Sequence, residues 1–359
     1  MVPTKIVRLL FVLAASAWLT ACGDIDAPSG SDERPDAEAT EPNGQVNVYS
    51  GRHYESDSAL FRQFTEETGI KVNLIEARGD ALIERLAREG EASPADIFMT
   101  ADAGVLWRAE QKDLFQPIEE ESILTRVPEQ FQHPEGLWVG VSKRARIIIY
   151  NKAAGLPEGL TDYLGLASPD LGEKICVRSS SNVYNQSLLA SLIANHGEQA
   201  ARDWAAGVVA NFARRPSGND TAQIEAVAAG DCDLGIVNSY YVARYVGSDD
   251  AKNKMIAGKI GVLFPAQETT GTHVNISGLG VTRHAPNKAE ALALIEFLLR
   301  ENSQSAFARG NNEYPVVTSV EATGPIAKLG AFVEDDLSVA ELGENQPLAV
   351  AIFEDAGWL

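Results

Sequence analysis

Positive charge is what this chain is shortest of: 30 Lys and Arg stand against 50 Asp and Glu, for a formal net charge of −20. Such a chain lacks the basic face that a polyphosphate backbone or an anionic bilayer surface requires. Nucleic acid is therefore excluded as a partner, and so is a polybasic membrane patch. The acidity suits cation capture and suits plain solubility equally well. Cysteine is scarce too, with three in 359 residues, and no Cys-x-x-Cys occurs. A Gly-x-Ser-x-Gly elbow and a His-Glu-x-x-His are also missing, which removes the commonest hydrolase and zinc-protease signatures. With no base in view for turnover, the chain reads as a non-enzyme. No internal repeat of about 20–50 residues stands out.

A membrane-spanning apolar run is lacking as well. Leu9 to Leu19 is apolar and follows Lys5 and Arg8, but it is too short to cross a bilayer and has the flanks of a signal peptide. Leu19-Thr20-Ala21-Cys22 resembles a bacterial lipobox, so residues 1–21 are expected to be a lipoprotein signal and Cys22 the lipidated residue. That implies export, with a lipid anchor in place of a transmembrane helix. Residues 22–45 are rich in Gly, Pro, Ser, Asp and Glu. They hold too little apolar surface to offset ordering entropy, and are expected to form a disordered acidic tether. With Cys22 taken by lipid, Cys176 and Cys232 remain in an oxidising compartment. A disulfide between them and two separately buried thiols both stay open.

From residue 46 short strands alternate with amphipathic helices. Val46 to Ser50, Lys71 to Ala77 and Ala95 to Thr100 read as strands; Ser58 to Glu67, Asp80 to Arg88 and Ala103 to Leu114 read as helices. The alternation resumes with a strand over 174–179, helices over 183–195, 198–212 and 221–229, and strands over 234–237 and 259–264. Two longer strand-rich stretches, Gly136 to Tyr150 and Thr272 to Thr282, are placed to carry the chain between two lobes. The expected fold is α/β: a two-lobed clam-shell. Each lobe is expected to be a mostly parallel sheet flanked by helices, joined by crossover strands. Lobe one spans 46–142, with about 272–317 returning to it; lobe two spans 143–271, with about 318–359 packing on it. Ligands in such sheets gather at the carboxyl ends of strands.

Three of those strand ends deliver tyrosines. Gly51-Arg52-His53-Tyr54 follows the first strand, Ser179 to Tyr184 follows the Cys176 strand, and Asn238-Ser239-Tyr240-Tyr241 follows Leu234-Gly235-Ile236-Val237. In a regular strand adjacent tyrosines would point to opposite faces, whereas in a first helical turn they converge. Anionic oxygen donors in that number suit a small, hard, highly charged cation. Several phenolates over-neutralise such an ion, so a nearby cation is expected, and Arg144 in Ser142-Lys143-Arg144-Ala145-Arg146 is the choice. Tyr245, one turn beyond Tyr241, reads as core. His196 and His284 are accounted for by capping or solvation, and His133 and His273 lie outside the ligand-edge loops.

These segments, with Val48 to Tyr54 and Pro94 to Thr100, resemble the periplasmic ferric-ion-binding proteins of bacterial ABC importers, in particular their tyrosine-rich, anion-independent branch. The resemblance covers essentially everything from residue 46 onward. It implies that Tyr54, Tyr184, Tyr240 and Tyr241 are iron ligands, with His53 a candidate fifth and Arg144 an outer cation. Relatives that need a synergistic anion carry a glutamate ligand where this chain has Ala101, with Asp102 next to it. Asp102 is open as a substitute ligand or as a helix N-terminal acid. The function implied is a lipid-anchored periplasmic receptor, monomeric, that carries Fe3+ as its transported ligand to the permease and ATPase subunits of an importer. No organic cofactor is implied. The alternative is the same clam-shell serving a small organic ligand such as a polyamine, sugar phosphate or thiamine-like molecule.

Overall fold

A computed structural model of the protein describes residues 44–359; the signal segment, Cys22 and all of the expected tether except its last two residues lie outside them. The chain opens as β1 (Gln45–Ser50), α1 (Glu55–Thr68), β2 (Lys71–Glu76), α2 (Gly79–Glu89), β3 (Ile97–Thr100), α3 (Ala103–Glu110) and α4 (Glu121–Leu124). Helix α1 buries Leu60, Phe61 and Phe64, each worth about 1.5–3 kcal/mol. It starts three residues before the expected Ser58, because Tyr54 caps it in an extended conformation without a side-chain bond. It stops at Gly69, whose φ of 73° only glycine adopts freely while its N–H closes on the Thr65 carbonyl.

The long strand β4 (Val139–Asn151) then leads through β5 (Ile175–Cys176), α5 (Val183–His196), α6 (Glu198–Ala210), α7 (Asp220–Ala229), β6 (Leu234–Asn238), α8 (Ser239–Val246), α9 (Ala251–Lys259) and β7 (Ile260–Leu263). Strand β8 (Val274–Val281) returns, followed by α10 (Lys288–Leu298), α11 (Glu301–Gly310), β9 (Tyr314–Pro315), α12 (Val339–Glu344) and α13 (Gln346–Ala356). None of the described helices is long and apolar enough to cross a membrane.

The strand order is β2-β1-β3-β8-β4-β6-β5, with β7 and β9 also pairing with β4. Pairs β1–β2, β1–β3 and β5–β6 are parallel, as expected. The ladders of β4 and β8 are antiparallel, so the sheet as a whole is mixed. The reason is that β8 runs back beside the strand that left the first lobe. The expected strand over 174–179 shrinks to two residues. Beyond it the Arg178 and Ser179 carbonyls accept from the Asn185 side chain, and the Ser180 carbonyl from Gln186. Helix α5 thus takes the partners a ladder would have used.

Three apolar clusters follow from this path. Val139 and Val141 of β4 join β1, β3, β8 and α1 to α3 in one. Further along β4, Ile148 faces α5, α6 and α13, while Ala145, Ile147 and Ile149 face α7, α8 and α9, the alternation a strand imposes. The tail divides. Ala349, Ile352 and Phe353 of α13 join the cluster of Ile148, α5 and α6, whereas Val339, Ala340 and Leu342 of α12 join the first-lobe cluster. Helix α12 sits there because Gly343 lets its backbone close on the Trp107 ring of α3, where a Cβ would collide. Cys176 at the end of β5 and Cys232 just before β6 are joined as a disulfide, with Cα atoms 5.8 Å apart.

Candidate metal centre

The junction between β6 and α8 places Asn238 in an extended conformation and turns the chain into a helix at Ser239. Tyr240 and Tyr241 fall in that first turn, with ring centroids 4.4 Å apart. Tyr184 is the second residue of α5, where the Asn182 cap accepts its backbone N–H at 3.2 Å. The Tyr240 hydroxyl donates to the Tyr184 hydroxyl at 3.3 Å. Tyr54 comes from the other lobe as the residue that caps α1. The Arg244 guanidinium carbon lies 6.0, 5.2 and 5.1 Å from the Tyr54, Tyr240 and Tyr241 rings, so one cation reaches tyrosines of both lobes.

The structure therefore brings together the four tyrosines singled out in the sequence. It places Arg144 5.8 Å from the Tyr184 ring, with Nη1 on the Ser277 hydroxyl and Nη2 buried without a partner. His53 is turned differently: its side chain is 57% exposed and its Nδ1 lies 3.5 Å from Glu76. It does share with Tyr184 a cavity of about 420 Å³, which Arg78, Arg108 and Arg178 also line. Asp102 caps α3, accepting from the Gly104 N–H at 2.8 Å, and also accepts from Ser187 at 3.0 Å and Asn275 at 2.9 Å. That is the helix N-terminal role. Tyr245 is buried and donates to Glu225. His273 is buried and its imidazole is held neutral, lowered to about 3 by burial and by Arg146 and Arg144.

Burial dominates the electrostatics of the phenols. It pushes Tyr240 well above its ordinary value, and the oxygens of Tyr184, Tyr54 and Tyr241 push the same way. Burial raises Tyr184 too, opposed chiefly by Arg144. Tyr54 is raised by burial and then by Glu313, against Arg52 and Arg144. At neutral pH these three groups are therefore neutral phenols, and a bound cation would favour loss of their protons.

Beneath the tyrosines lie two ion-pair knots that sequence reasoning missed. In the second lobe Asp220 accepts from Arg146 at 2.8 Å, from Arg178 at 3.2 Å and from the Asn238 backbone at 2.8 Å. In the first lobe Arg52 grips Asp57 at 2.8 and 3.0 Å and reaches Glu313 at 3.2 Å. Part of this was signalled: Ser142, Arg144 and Arg146 alternate along β4 and so share one face. Arg244, one turn past Tyr240, was signalled by helical spacing.

Among the described residues no three His, Cys, Asp or Glu side chains come together to hold a metal. Phenol oxygens of both lobes converge in the cleft, with arginines around them. Oxygen donors of that kind suit a hard cation over a soft one.

Comparison with known proteins agrees with this chemistry. Residues 59–334 match the family described as bacterial extracellular solute-binding protein. Iron uptake protein A1 of Synechocystis is 46% identical over 357 residues, spanning 99% of each chain. Among solved structures, the Trichodesmium protein IdiA/FutA in complex with iron and citrate superposes with a TM-score of 0.85 at 49% identity, covering 88% of this chain and 100% of that one. The ferric binding protein from Campylobacter jejuni superposes at 0.83 with 36% identity, covering 88% and 100%.

Proposed function

This chain belongs to the family of bacterial extracellular solute-binding proteins, and from that premise we propose that it is a periplasmic receptor that captures ferric iron and delivers it to an ABC permease for uptake. The observation that carries the reading is the convergence of Tyr184, Tyr240 and Tyr241 from one lobe with Tyr54 from the other, all within reach of arginines. Relatives named for iron uptake and ferric binding, found across nearly the whole chain, support the same cargo.

The side chains suggest the sequence of events. Tyr184, Tyr240 and Tyr241 are already packed against one another on the second lobe. Closure brings Tyr54 to them and sheds water from the cleft. Each phenol that loses its proton gains a negative charge in buried surroundings. Arg144 and Arg244 offset it, since Arg52 is already balanced by Asp57 and Glu313. Four phenolates on a trivalent ion leave one surplus negative charge, and these arginines absorb it without a synergistic anion. His53 is free to turn from Glu76 as a fifth donor. The lipid anchor at Cys22, the permease and ATPase partners and the monomeric state belong to this proposal.

Titration of the purified chain with ferric citrate, followed by visible absorption, tests it. A phenolate-to-iron charge-transfer band should saturate at one iron per chain and weaken in Tyr240→Phe and Tyr241→Phe. A colourless protein that keeps no iron would transfer the reading to a small organic ligand in the same cleft.

A further inference from the structure

Arg52 lies two residues before Tyr54, is 2% exposed, and holds its guanidinium carbon 4.7 Å from the Tyr54 ring centroid. Asp57 alone satisfies it as an ion-pair partner, in a bidentate grip. A second carboxylate, Glu313, 1% exposed and 261 residues away in sequence, is nevertheless placed on the same guanidinium at 3.2 Å. On charge alone this is a poor position. A negative group beside a phenol that must ionise works against ionisation, and two acids on one base leave a buried surplus.

What Glu313 gains by being there is connection. Its Oε2 accepts from the Ser142 hydroxyl of β4 at 2.8 Å, while that hydroxyl accepts from Arg52 Nη1 at 3.3 Å. Its Oε1 accepts from the Ser277 hydroxyl of β8 at 3.1 Å. Ser277 in turn accepts from Arg144 Nη1 at 3.4 Å, and Arg144 stands beside Tyr184. A continuous buried chain therefore runs from the first-lobe tyrosine, through both strands that cross between the lobes, to a second-lobe tyrosine. Every hydroxyl in it donates once and accepts once.

We infer that Glu313, acting through Arg52, is a positioning residue of the ferric site: it fixes the Tyr54 ring against β4 and β8, so that Tyr54 meets Tyr184 in one geometry when the lobes close. The inference rests on the ferric reading. It names a residue that touches no cargo and yet sets the metal's surroundings.

The test compares iron-loaded wild type with Glu313→Gln, nearly the same shape without the charge, and with Ser277→Ala, which cuts the chain at β8 and leaves every charge in place. Three quantities are read: the charge-transfer maximum, the rate of iron loss to excess EDTA, and the thermal midpoint of the iron-free protein. Positioning predicts a displaced maximum in both variants. It also predicts iron loss about 10–100-fold faster in Glu313→Gln, the range for outer partners of a metal site, with a smaller change of the same sign in Ser277→Ala. Slower iron loss in Glu313→Gln would mean that only the charge matters, and would overturn the inference. A lower midpoint with an unmoved band and rate would overturn it as well, leaving Glu313 a purely structural residue. If Glu313→Gln does not fold, the Ser277→Ala band and rate decide. A wild type without any band would instead overturn the ferric reading itself, which keeps the two failures distinguishable.

Discussion

Each lobe buries an arginine–carboxylate knot under its tyrosines, and the two knots are built with opposite excess. In the first lobe one arginine, Arg52, sits between two acids, Asp57 and Glu313. In the second, one acid, Asp220, sits between two arginines, Arg146 and Arg178. Under the ferric proposal Tyr184 would therefore ionise on positive ground, with three guanidinium carbons within 5.9 Å of its ring. Tyr54 would ionise beside a surplus carboxylate. Under the same proposal the difference gives an order: the second lobe would be the half that captures, and the first the half that completes.

The largest break in this comparison is Asp220→Ala. It leaves buried Arg146 and half-buried Arg178 without their shared acid, and loss of one partner from such a cluster costs about 3–5 kcal/mol. Chemical denaturation of the iron-free variant should show that loss, and an unchanged midpoint would mean the second knot is not a structural centre. Next in size is the contrast between Tyr240→Phe and Tyr54→Phe. The first should remove most of the charge-transfer intensity. The second should keep a band from the second-lobe phenolates while iron loss to a chelator quickens about 10–100-fold. Equal damage from both would dissolve the proposed order.

A smaller effect is expected at Asp102, the first-lobe acid that reaches Ser187 in the second. Burial raises its carboxyl, against the pull of Arg144 and Arg108. A raised value favours the protonated form when folded. Its contribution to stability is thus present below the ordinary aspartate value of about 3.9 and is lost as pH rises through the folded value. Asp102→Asn keeps the helix cap and should be more stable than wild type at pH 7, with the gap closing as pH falls through the raised folded value and gone once it is below about 4. Thermal midpoints across pH check this, and a gap that widens in acid would contradict it. Smallest of all should be His53→Ala. Exposed and beside Glu76, His53 should alter iron retention by less than about tenfold, under the range for outer partners.

The tyrosines were legible in the sequence for a physical reason. Apolar runs mark strands, strands end at the ligand edge of an α/β sheet, and Tyr54, Tyr184 and Tyr240 each follow one. The alternation also revealed the two crossing stretches and most helices to within a few residues. The knots were not legible, because pairing Arg52 with Glu313 needs contacts across 261 residues that no local pattern encodes. The 174–179 strand was over-read because side chains of α5 compete for its carbonyls, which β-propensity does not register. The antiparallel sense of β8, and the attachment of α12 to the first lobe through Gly343, likewise depend on where the chain returns.

Strand β4 has a consequence for how the molecule comes apart. Ser142 to Ala145 pair with β8 while Arg146 to Tyr150 pair with β6, and the same strand contributes to all three apolar clusters. No cut in it would release one lobe whole, since either fragment would lose a ladder and a wall of its core. The two lobes are therefore expected to share one fate on denaturation: a single cooperative transition, and no independently inheritable half.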